Sequence, residues 1–525
     1  MMTGMALLFG FAACDSYLDK LPDDRATVDT KEKVAGLLVS AYPSSLPVMM
    51  FEMASDNVTD NGTQYAMQPD QDKMYRLEDN TYTGNDDPYL MWNSNYTAVA
   101  TANEALQAIN EIGGPEAMPG EYAEALLVRA YAMFVQANIF CMSYVPDSAE
   151  VYLGLPYPTE PEKSVETKYE RGTLKALYEN INKDIETALP LLSDGHLVTP
   201  KYHFNTNAAY AFAARFNLFY HNYAKAIEYA NKVLGSAPEG MLRDFSALEN
   251  LSGTADIRNS YLASSLNANI MLEPIYTLAG RMFAASSYLR YAHNNVIVTN
   301  ETVRASAPWG SGSLANTLMM ARMLYGNNQT VYFPKQYEMF EYTDKVNGTG
   351  YPHSVIPVFT AEETLMTRAE AEALTNDYEG AIRDMNLWVR SHCAESHVFT
   401  SGGKQYRLRR PTLTVESVNE FIEGKPYAIV DLQSDNERSI RKTLNPQGFT
   451  VASGTQENLL QLILHMRRID TIHDGSRFLD LKRYGIEYQH KLDGEPAVWV
   501  KAGDKRMAFQ LPVEAIQDGL AANPR

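Results

Sequence analysis

The sequence predicts a mostly α-helical fold, and stretches with helical spacing of apolar residues carry that prediction. Residues 205–234 hold two such stretches, separated by a short break at His221 and Asn222. Residues 365–389 repeat this arrangement, and residues 122–140 and 174–192 each add an apolar stripe. An apolar stripe on a polar helix needs a neighbour to cover it, so we expect the helices to pack in pairs.

The two helix pairs share a motif at their turns. Residues 222–227 read Asn-Tyr-x-x-Ala-Ile, and residues 377–382 read Asp-Tyr-x-x-Ala-Ile. Small residues let helix backbones approach closely, and the pattern resembles tetratricopeptide repeats, which stack on neighbours of the same kind. We therefore expect tetratricopeptide-like pairs in a right-handed scaffold over residues 92–235 and 360–392, with long irregular loops and a few short strands.

Composition excludes some partners and leaves others open. The chain has 525 residues, of which 45% are hydrophobic, so it can bury a large core. Its formal net charge of −19, without a long basic run, argues against nucleic acid as a partner. Cys141 and Cys393 lie in apolar helical stretches, where buried free thiols are the ordinary interpretation.

Cys14 has a different setting from the other cysteines. It follows a short apolar run, residues 1–13, that ends Phe-Ala-Ala and contains no acidic residue. A run of this length is typical of a signal peptide rather than a membrane-spanning helix, and small residues before a cysteine mark bacterial lipoprotein processing. We expect residues 1–13 to be a signal peptide and Cys14 to carry lipid. A degraded signal or a chance apolar terminus is the alternative, because no Lys or Arg precedes the run.

Two regions without helical periodicity, residues 53–90 and 241–357, are predicted to form loop-rich insertions. Both are rich in tyrosine and asparagine, and aromatic faces beside amides suit the apolar faces and polar rims of sugar rings. Trp309, between Pro308 and Gly310, is expected to form a stacking surface. The candidate ligand-binding residues are Tyr65, Tyr75, Asn80, Tyr82, Trp92, Tyr288, Tyr291 and Trp309. The alternative for these loops is a structural role in capping helix ends.

No cofactor is expected from the motifs in the chain. Asp56, Asp60, Asn61 and Gly62 suggest calcium, but their spacing differs from the twelve-residue calcium loop and no glutamate closes it. Calcium binding is therefore unsupported.

Residues 465–485, HMRRIDTIHDGSRFLDLKRYG, closely resemble the C-terminal signature of the SusD/RagB family. That signature runs roughly Glu-Arg-Arg-x-Glu, then Glu-Gly-x-Arg-x-x-Asp-Leu-x-Arg. The departures are Met466, Asp470, His473 and Asp474. Arg477, Asp480 and Arg483 share one helix face, where alternating charges typically form a structural network.

The resemblance extends over nearly the whole chain. Residues 14–19, residues 122–140 with Arg129, and the closing Leu511-Pro512 and Asn523-Pro524 all resemble family features. It implies one SusD-like domain over residues 14–525, with the signature region at 456–525.

The resemblance also implies a function. It is that of a lipid-anchored, surface-exposed lipoprotein of the cell outer membrane, which binds a glycan and delivers it to a SusC-like TonB-dependent transporter. Catalysis is not expected. A peptide cargo is one alternative, a protein-interaction scaffold is a second, and a glycosidase, for which no motif speaks, is a third.

Overall fold

The computed structural model describes residues 28–162, 168–283 and 288–525, and its helical content confirms the predicted mostly α fold. The α-helices are α1 (Lys31–Val39), α2 (Val48–Ala54), α3 (Pro69–Arg76), α4 (Pro88–Ile112), α5 (Pro119–Phe140), α6 (Leu174–Ala188), α7 (Thr206–Phe219), α8 (Tyr223–Leu234), α9 (Phe245–Glu249), α10 (Thr254–Tyr261), α11 (Ala279–Phe283), α12 (Asn295–Asn300), α13 (Ala361–Leu374), α14 (Tyr378–His392), α15 (Val415–Glu423), α16 (Thr455–Asp470), α17 (Ser476–Arg483) and α18 (Val513–Gln517).

The strands of the described residues are short and form small antiparallel sheets. They are β1 (Thr59–Asp60), β2 (Asn269–Tyr276), β3 (Tyr291–Ala292), β4 (Gly310–Ser311), β5 (Ala315–Asn316), β6 (Tyr325–Gly326), β7 (Val331–Tyr332), β8 (Met339–Asp344), β9 (Thr349–Thr360), β10 (Ser396–Ser401), β11 (Lys404–Arg409), β12 (Tyr488–Leu492) and β13 (Glu495–Val500). The order β2-β9-β8 forms a three-stranded sheet, and β1-β3, β4-β5, β6-β7, β10-β11 and β12-β13 are pairs.

The two helix pairs that share a sequence motif also share a turn geometry. Asn222 and Asp377 cap α8 and α14, and each side chain accepts a hydrogen bond from the backbone amide three residues on. The residue before each cap, His221 or Asn376, has a positive φ, of 62° or 66°. This left-handed residue is what reverses the chain between the two helices of each pair.

The helix pairs are continuous in space although they are interrupted in sequence. The α7–α8 pair packs against the α13–α14 pair through contacts of α13 with both α7 and α8. Residues 241–357 leave the scaffold after α8 and return to it through β9, which runs directly into α13. The insertion therefore leaves the helical stack and returns to it, while the helix pairs on either side of the insertion stay in direct contact.

Each of two helical layers contains a buried arginine held by one aspartate and one asparagine. Arg129 on α5 donates to Asp184 at 2.7 and 2.8 Å and to Asn103 at 2.8 Å. In the second layer, Arg368, Asp384 and Asn231 repeat this arrangement with distances of 2.6–2.7 Å. Arg129 therefore has a structural role, since its donors are satisfied inside the scaffold.

The signature residues form a buried charged network, as their spacing predicted. Glu370 on α13 accepts hydrogen bonds from Arg467, from Arg483 at 2.7 Å and from the Tyr484 hydroxyl at 2.7 Å. Arg467 also donates to Asp480 at 2.8 Å. Although burial alone raises a carboxyl pKa, the two guanidinium groups outweigh it and lower the pKa of Glu370 to about 2.

A second part of the network anchors the first loop-rich region to the signature. Arg477 donates to both carboxylate oxygens of Asp56, at 2.8 and 2.9 Å, and Arg468 donates to Asn57 at 2.8 Å. Arg468 and Arg477 hold the pKa of Asp56 well below its usual range against the opposing effect of burial. The start of the loop is therefore fixed to the core rather than free to contact a ligand.

Several sequence predictions need correction or lie outside the described residues. The region 53–90, predicted to be loop-rich, holds the helix α3. The predicted signal peptide and Cys14 fall outside the described residues. Within the described ranges, no helix combines the length and hydrophobicity needed to cross a membrane.

Candidate functional site

The two loop-rich regions meet at a small sheet on the surface. Strand β1 from the first region pairs with β3 from the second, with Thr59 opposite Ala292 and Asp60 opposite Tyr291. Beyond this pair, Ala66 forms a bridge with Leu289, so the contact continues along the loop. The structure thus joins the two regions that the sequence singled out, although about 230 residues separate them along the chain.

The Asp60 carboxylate holds this junction together. It accepts hydrogen bonds from Arg290 at 2.8–3.1 Å, from the Gly62 amide at 2.7 Å and from the Asp493 amide at 3.0 Å. One buried carboxylate therefore ties β1, β3 and the turn between β12 and β13. Asn61 adds to the junction, because its side-chain amide donates to the carbonyls of Leu289 and Gln329 at 3.0 and 2.9 Å.

Tyr65 and Tyr288 form a parallel aromatic pair at the edge of the junction. Their ring centroids lie 6.5 Å apart and their planes differ by 6°. Tyr288 is 67% exposed and Tyr65 is partly exposed, so ring surface is available to solvent. We call these two residues the tyrosine platform. It brings together two of the predicted ligand-binding residues, one from each loop-rich region.

Tyr75 and Tyr291, which were predicted to contact ligand, are buried instead. Tyr75 is stacked between Tyr291, at 4.1 Å, and His490, at 4.0 Å, and its hydroxyl donates to the Lys491 carbonyl at 2.9 Å. Both tyrosines are almost fully buried. The prediction that they contact ligand is wrong, because their faces are already covered; they fix α3 to β3 and β12.

The predicted stacking surface at Trp309 is also wrong. Its side chain is 1% exposed and packs on Trp388, with ring centroids 5.1 Å apart, and on His465, at 6.0 Å. Trp388 is itself fully buried, and its indole N–H donates to Asp470 at 2.7 Å. Trp309 is a core residue because its segment folds back beneath α14 and α16.

The remaining predicted residues lie apart from the platform. Asn80 donates to the Asp87 carboxylate at 2.6 Å and accepts from the Tyr82 amide at 2.9 Å, so its polar atoms brace their own loop. Trp92 is partly buried on α4 and packs on Tyr96, with ring centroids 4.6 Å apart. Tyr82 is 45% exposed, and no ring contact in the described part of the chain joins it to the platform.

The two carboxylates of the motif considered for calcium form ion pairs with arginines. Asp56 is paired with Arg477 and Asp60 with Arg290. Across the described ranges, no group of three or more His, Cys, Asp or Glu residues is arranged to hold a metal ion.

One cavity in the described part of the molecule is a poor match for a sugar. It measures about 150 Å³ and lies between the scaffold and the signature, lined mostly by apolar side chains such as Phe134, Leu218 and Phe245. The charged groups in its wall are already paired, Arg215 with Glu363 at 2.5 Å and Arg467 with Asp480 at 2.8 Å. Few polar atoms are left to recognise hydroxyl groups.

Two features of this surface were missed at the sequence level. Asp60 and Arg290 were not predicted to pair, because no local pattern connects residues so far apart. Trp499 was not singled out, yet its side chain is 40% exposed on β13. The alternation of Glu495, Ala497 and Trp499 with residues of the other face was the available signal, since it places all three on one side of a strand.

Comparisons with known proteins agree with this architecture. Residues 16–218 match the family model SusD-like_3, described as "Starch-binding associating with outer membrane". No curated protein matches the chain significantly in sequence.

Solved structures of SusD superfamily proteins share the fold along nearly the whole chain. One from Bacteroides thetaiotaomicron is 18% identical with a TM-score of 0.60, covering 94% of this chain and 98% of its own. One from Bacteroides fragilis is 18% identical with a TM-score of 0.59, covering 92% and 96%. A SusD-like carbohydrate binding protein from Bacteroides vulgatus is 14% identical with a TM-score of 0.53, covering 90% and 88%.

The fold is therefore that of the SusD superfamily. The family match over residues 16–218 and the shared fold agree with the SusD-like resemblance that the signature indicated.

Proposed function

We propose that this SusD-like protein binds an oligosaccharide or polysaccharide at the cell surface without altering it chemically. The observation that carries the proposal is the tyrosine platform: two parallel, solvent-accessible rings held at the junction of both loop-rich regions. Flat aromatic faces bind the apolar faces of sugar rings, while nearby hydroxyl and amide groups bind the hydroxyls. The family description and the carbohydrate binding relative support this ligand class.

The platform is preorganised, which favours affinity. The Tyr75–Tyr291–His490 stack and the Asp60–Arg290 ion pair fix the backbone on which Tyr65 and Tyr288 stand. A ligand therefore meets rings that are already placed, and little conformational entropy is lost on binding.

Capture at the surface is proposed to serve uptake. In this proposal Cys14 carries lipid that anchors the protein in the outer membrane, and the bound glycan passes to a SusC-like TonB-dependent transporter. The apolar run ending Ala12-Ala13-Cys14 supports the anchor. Cys14→Ser should move the protein from the membrane fraction to the soluble fraction, and unchanged membrane association would overturn the anchor.

The ligand class is tested by affinity electrophoresis in gels that contain a panel of polysaccharides. We expect the wild-type protein to be retarded by at least one of them. The double variant Tyr65→Ala/Tyr288→Ala should lose about tenfold or more in affinity, as expected for central aromatic contacts. Tyr406→Ala is the matched control, because Tyr406 is 46% exposed on the separate β10–β11 hairpin.

Three results would contradict the proposal. Retardation that the double variant retains would remove the platform as the site. Binding of peptides but of no polysaccharide would favour a peptide cargo. New reducing ends after incubation with glycans would show that the protein is an enzyme.

A further inference from the structure

A shallow, open groove lies at the C-terminal end of α3. Its volume is about 610 Å³. One wall is the end of α3 and the residues that follow it, and the other is the β12–β13 hairpin. In the chain, Tyr65 precedes α3 and Arg76 ends it.

Trp499 supplies the groove with an aromatic face. Its indole is 40% exposed, whereas Trp309 and Trp388 are at most 1% exposed. Trp499 shares a strand face with Glu495, whose carboxylate accepts two hydrogen bonds from Arg76 at 2.8 and 2.9 Å. This ion pair crosses the groove and fixes the hairpin to α3.

The polar groups around Trp499 are held in place by partners of opposite charge. Arg506 is paired with Asp504 at 2.6 Å, Arg525 with Asp79 at 2.8 Å and Lys73 with Glu78 at 2.5 Å. Such pairs stay partly hydrated at the surface, so their remaining donors and acceptors are free to exchange water for hydroxyl groups.

The charge balance indicates which ligand the groove suits. The four cations Lys73, Arg76, Arg506 and Arg525 are each paired, and their partners are Glu78, Asp72, Glu495, Asp504 and Asp79. Four positive charges against five negative ones leave no excess of cation to attract an acidic sugar. Paired donors and acceptors beside an indole fit a neutral sugar ring.

We infer that the groove around Trp499 is a second carbohydrate-binding site, which stacks a neutral sugar ring on the indole and holds its hydroxyls with the flanking arginines and carboxylates. This inference deepens the proposed function and rests on it for the ligand class. A polysaccharide that engages both the groove and the platform gains affinity through multivalency, whereas a short oligosaccharide occupies each site independently.

Tryptophan fluorescence tests the groove separately from the platform. Trp499 is the most exposed of the four tryptophans, so acrylamide should quench it preferentially. Neutral oligosaccharides from any polysaccharide that retards the protein should protect this emission. The protection should persist in Tyr65→Ala/Tyr288→Ala, and Trp499→Phe should remove the quenchable fraction.

Affinity electrophoresis provides the second measurement. Trp499→Ala should weaken retention by the polysaccharide about threefold to tenfold, Trp499→Phe should weaken it less, and Tyr406→Ala should leave it unchanged. Neutral oligosaccharides that give no protection in the wild-type protein would overturn the inference. If the polysaccharide retains Trp499→Ala as strongly as the wild-type protein, the inference is also overturned. The same holds if that variant keeps its retention but no longer binds a transporter barrel. If Tyr65→Ala/Tyr288→Ala keeps full retention while Trp499→Ala loses it, the proposed function of the platform is contradicted but the inference about the groove is not.

Discussion

Trp309 and the tyrosine platform come from the same kind of sequence, yet one is buried and the other is exposed. Both lie in segments rich in Gly, Ser, Asn and Tyr without helical periodicity. The Trp309 segment passes under α14 and α16, where Trp388 and His465 cover its indole. The segments that hold Tyr65 and Tyr288 meet at the edge of the junction between the two loop-rich regions. Nothing in the described part of the chain covers both rings. The route of a loop over the scaffold therefore decides whether its aromatic side chain stabilises the fold or faces a ligand.

The largest expected effect comes from the buried side of this comparison. Trp309→Ala should lower the free energy of unfolding by about 3–5 kcal/mol, because it leaves a cavity between two helices. Denaturant unfolding measures the loss. The folded fraction of this variant should bind glycan like the wild-type protein; loss of binding with unchanged stability would reverse the assignment of Trp309 to the core.

The charged network on the same side should give the next effect. Glu370→Gln should cost about 2–3 kcal/mol, because Arg467 and Arg483 lose their charged acceptor. Since the folded pKa of Glu370 lies near 2, below its ordinary value of 4.5, its stabilisation is present above pH 4.5 and is lost as pH falls toward 2. The free energy of unfolding should therefore change less between pH 2 and pH 6 in Glu370→Gln than in the wild-type protein. An equal pH dependence in both proteins would contradict this account.

A smaller stability effect with a larger binding effect is expected at the junction. Asp60→Asn should cost about 1–2 kcal/mol, because the Arg290 guanidinium loses a charged partner that it shares with two backbone amides. Glycan affinity should fall with it, since the junction positions Tyr65 and Tyr288. Calorimetric titration measures the affinity, and Glu150→Gln, at an exposed carboxylate that pairs with Lys175 away from both sites, is the control. Full glycan affinity in Asp60→Asn would show that the junction does not position the platform.

The smallest stability effect belongs to the exposed ring itself. Tyr288→Ala should change the free energy of unfolding by less than about 0.5 kcal/mol, as is usual for exposed positions. Binding should nevertheless weaken, opposite to the pattern at Trp309. A thermal shift assay and affinity electrophoresis on the same samples give both values, and a large stability loss would place Tyr288 in the structural class.

Much of the scaffold was predictable because its signals are local. The Asn-Tyr and Asp-Tyr turns and the stripe on α6 fix structure over a few residues. The site was only partly predictable. Tyr65 and Tyr288 were named from composition, but Tyr75, Tyr291 and Trp309 were named by the same rule and are buried. Their burial depends on pairings between segments hundreds of residues apart, which no local pattern encodes.

The Asp60–Arg290 junction has a consequence for the order of folding. Its partners lie about 230 residues apart, so the chain between them must lose its freedom before the pairing gains anything. The helix pairs, whose contacts are mostly between neighbours in sequence, can form first, and the platform is completed only once they have brought the two insertions together. A ligand that needs both tyrosines would thus bind native molecules and ignore partly folded ones. In refolding experiments, glycan binding should recover after helical circular dichroism; simultaneous recovery would show that the junction forms with the scaffold.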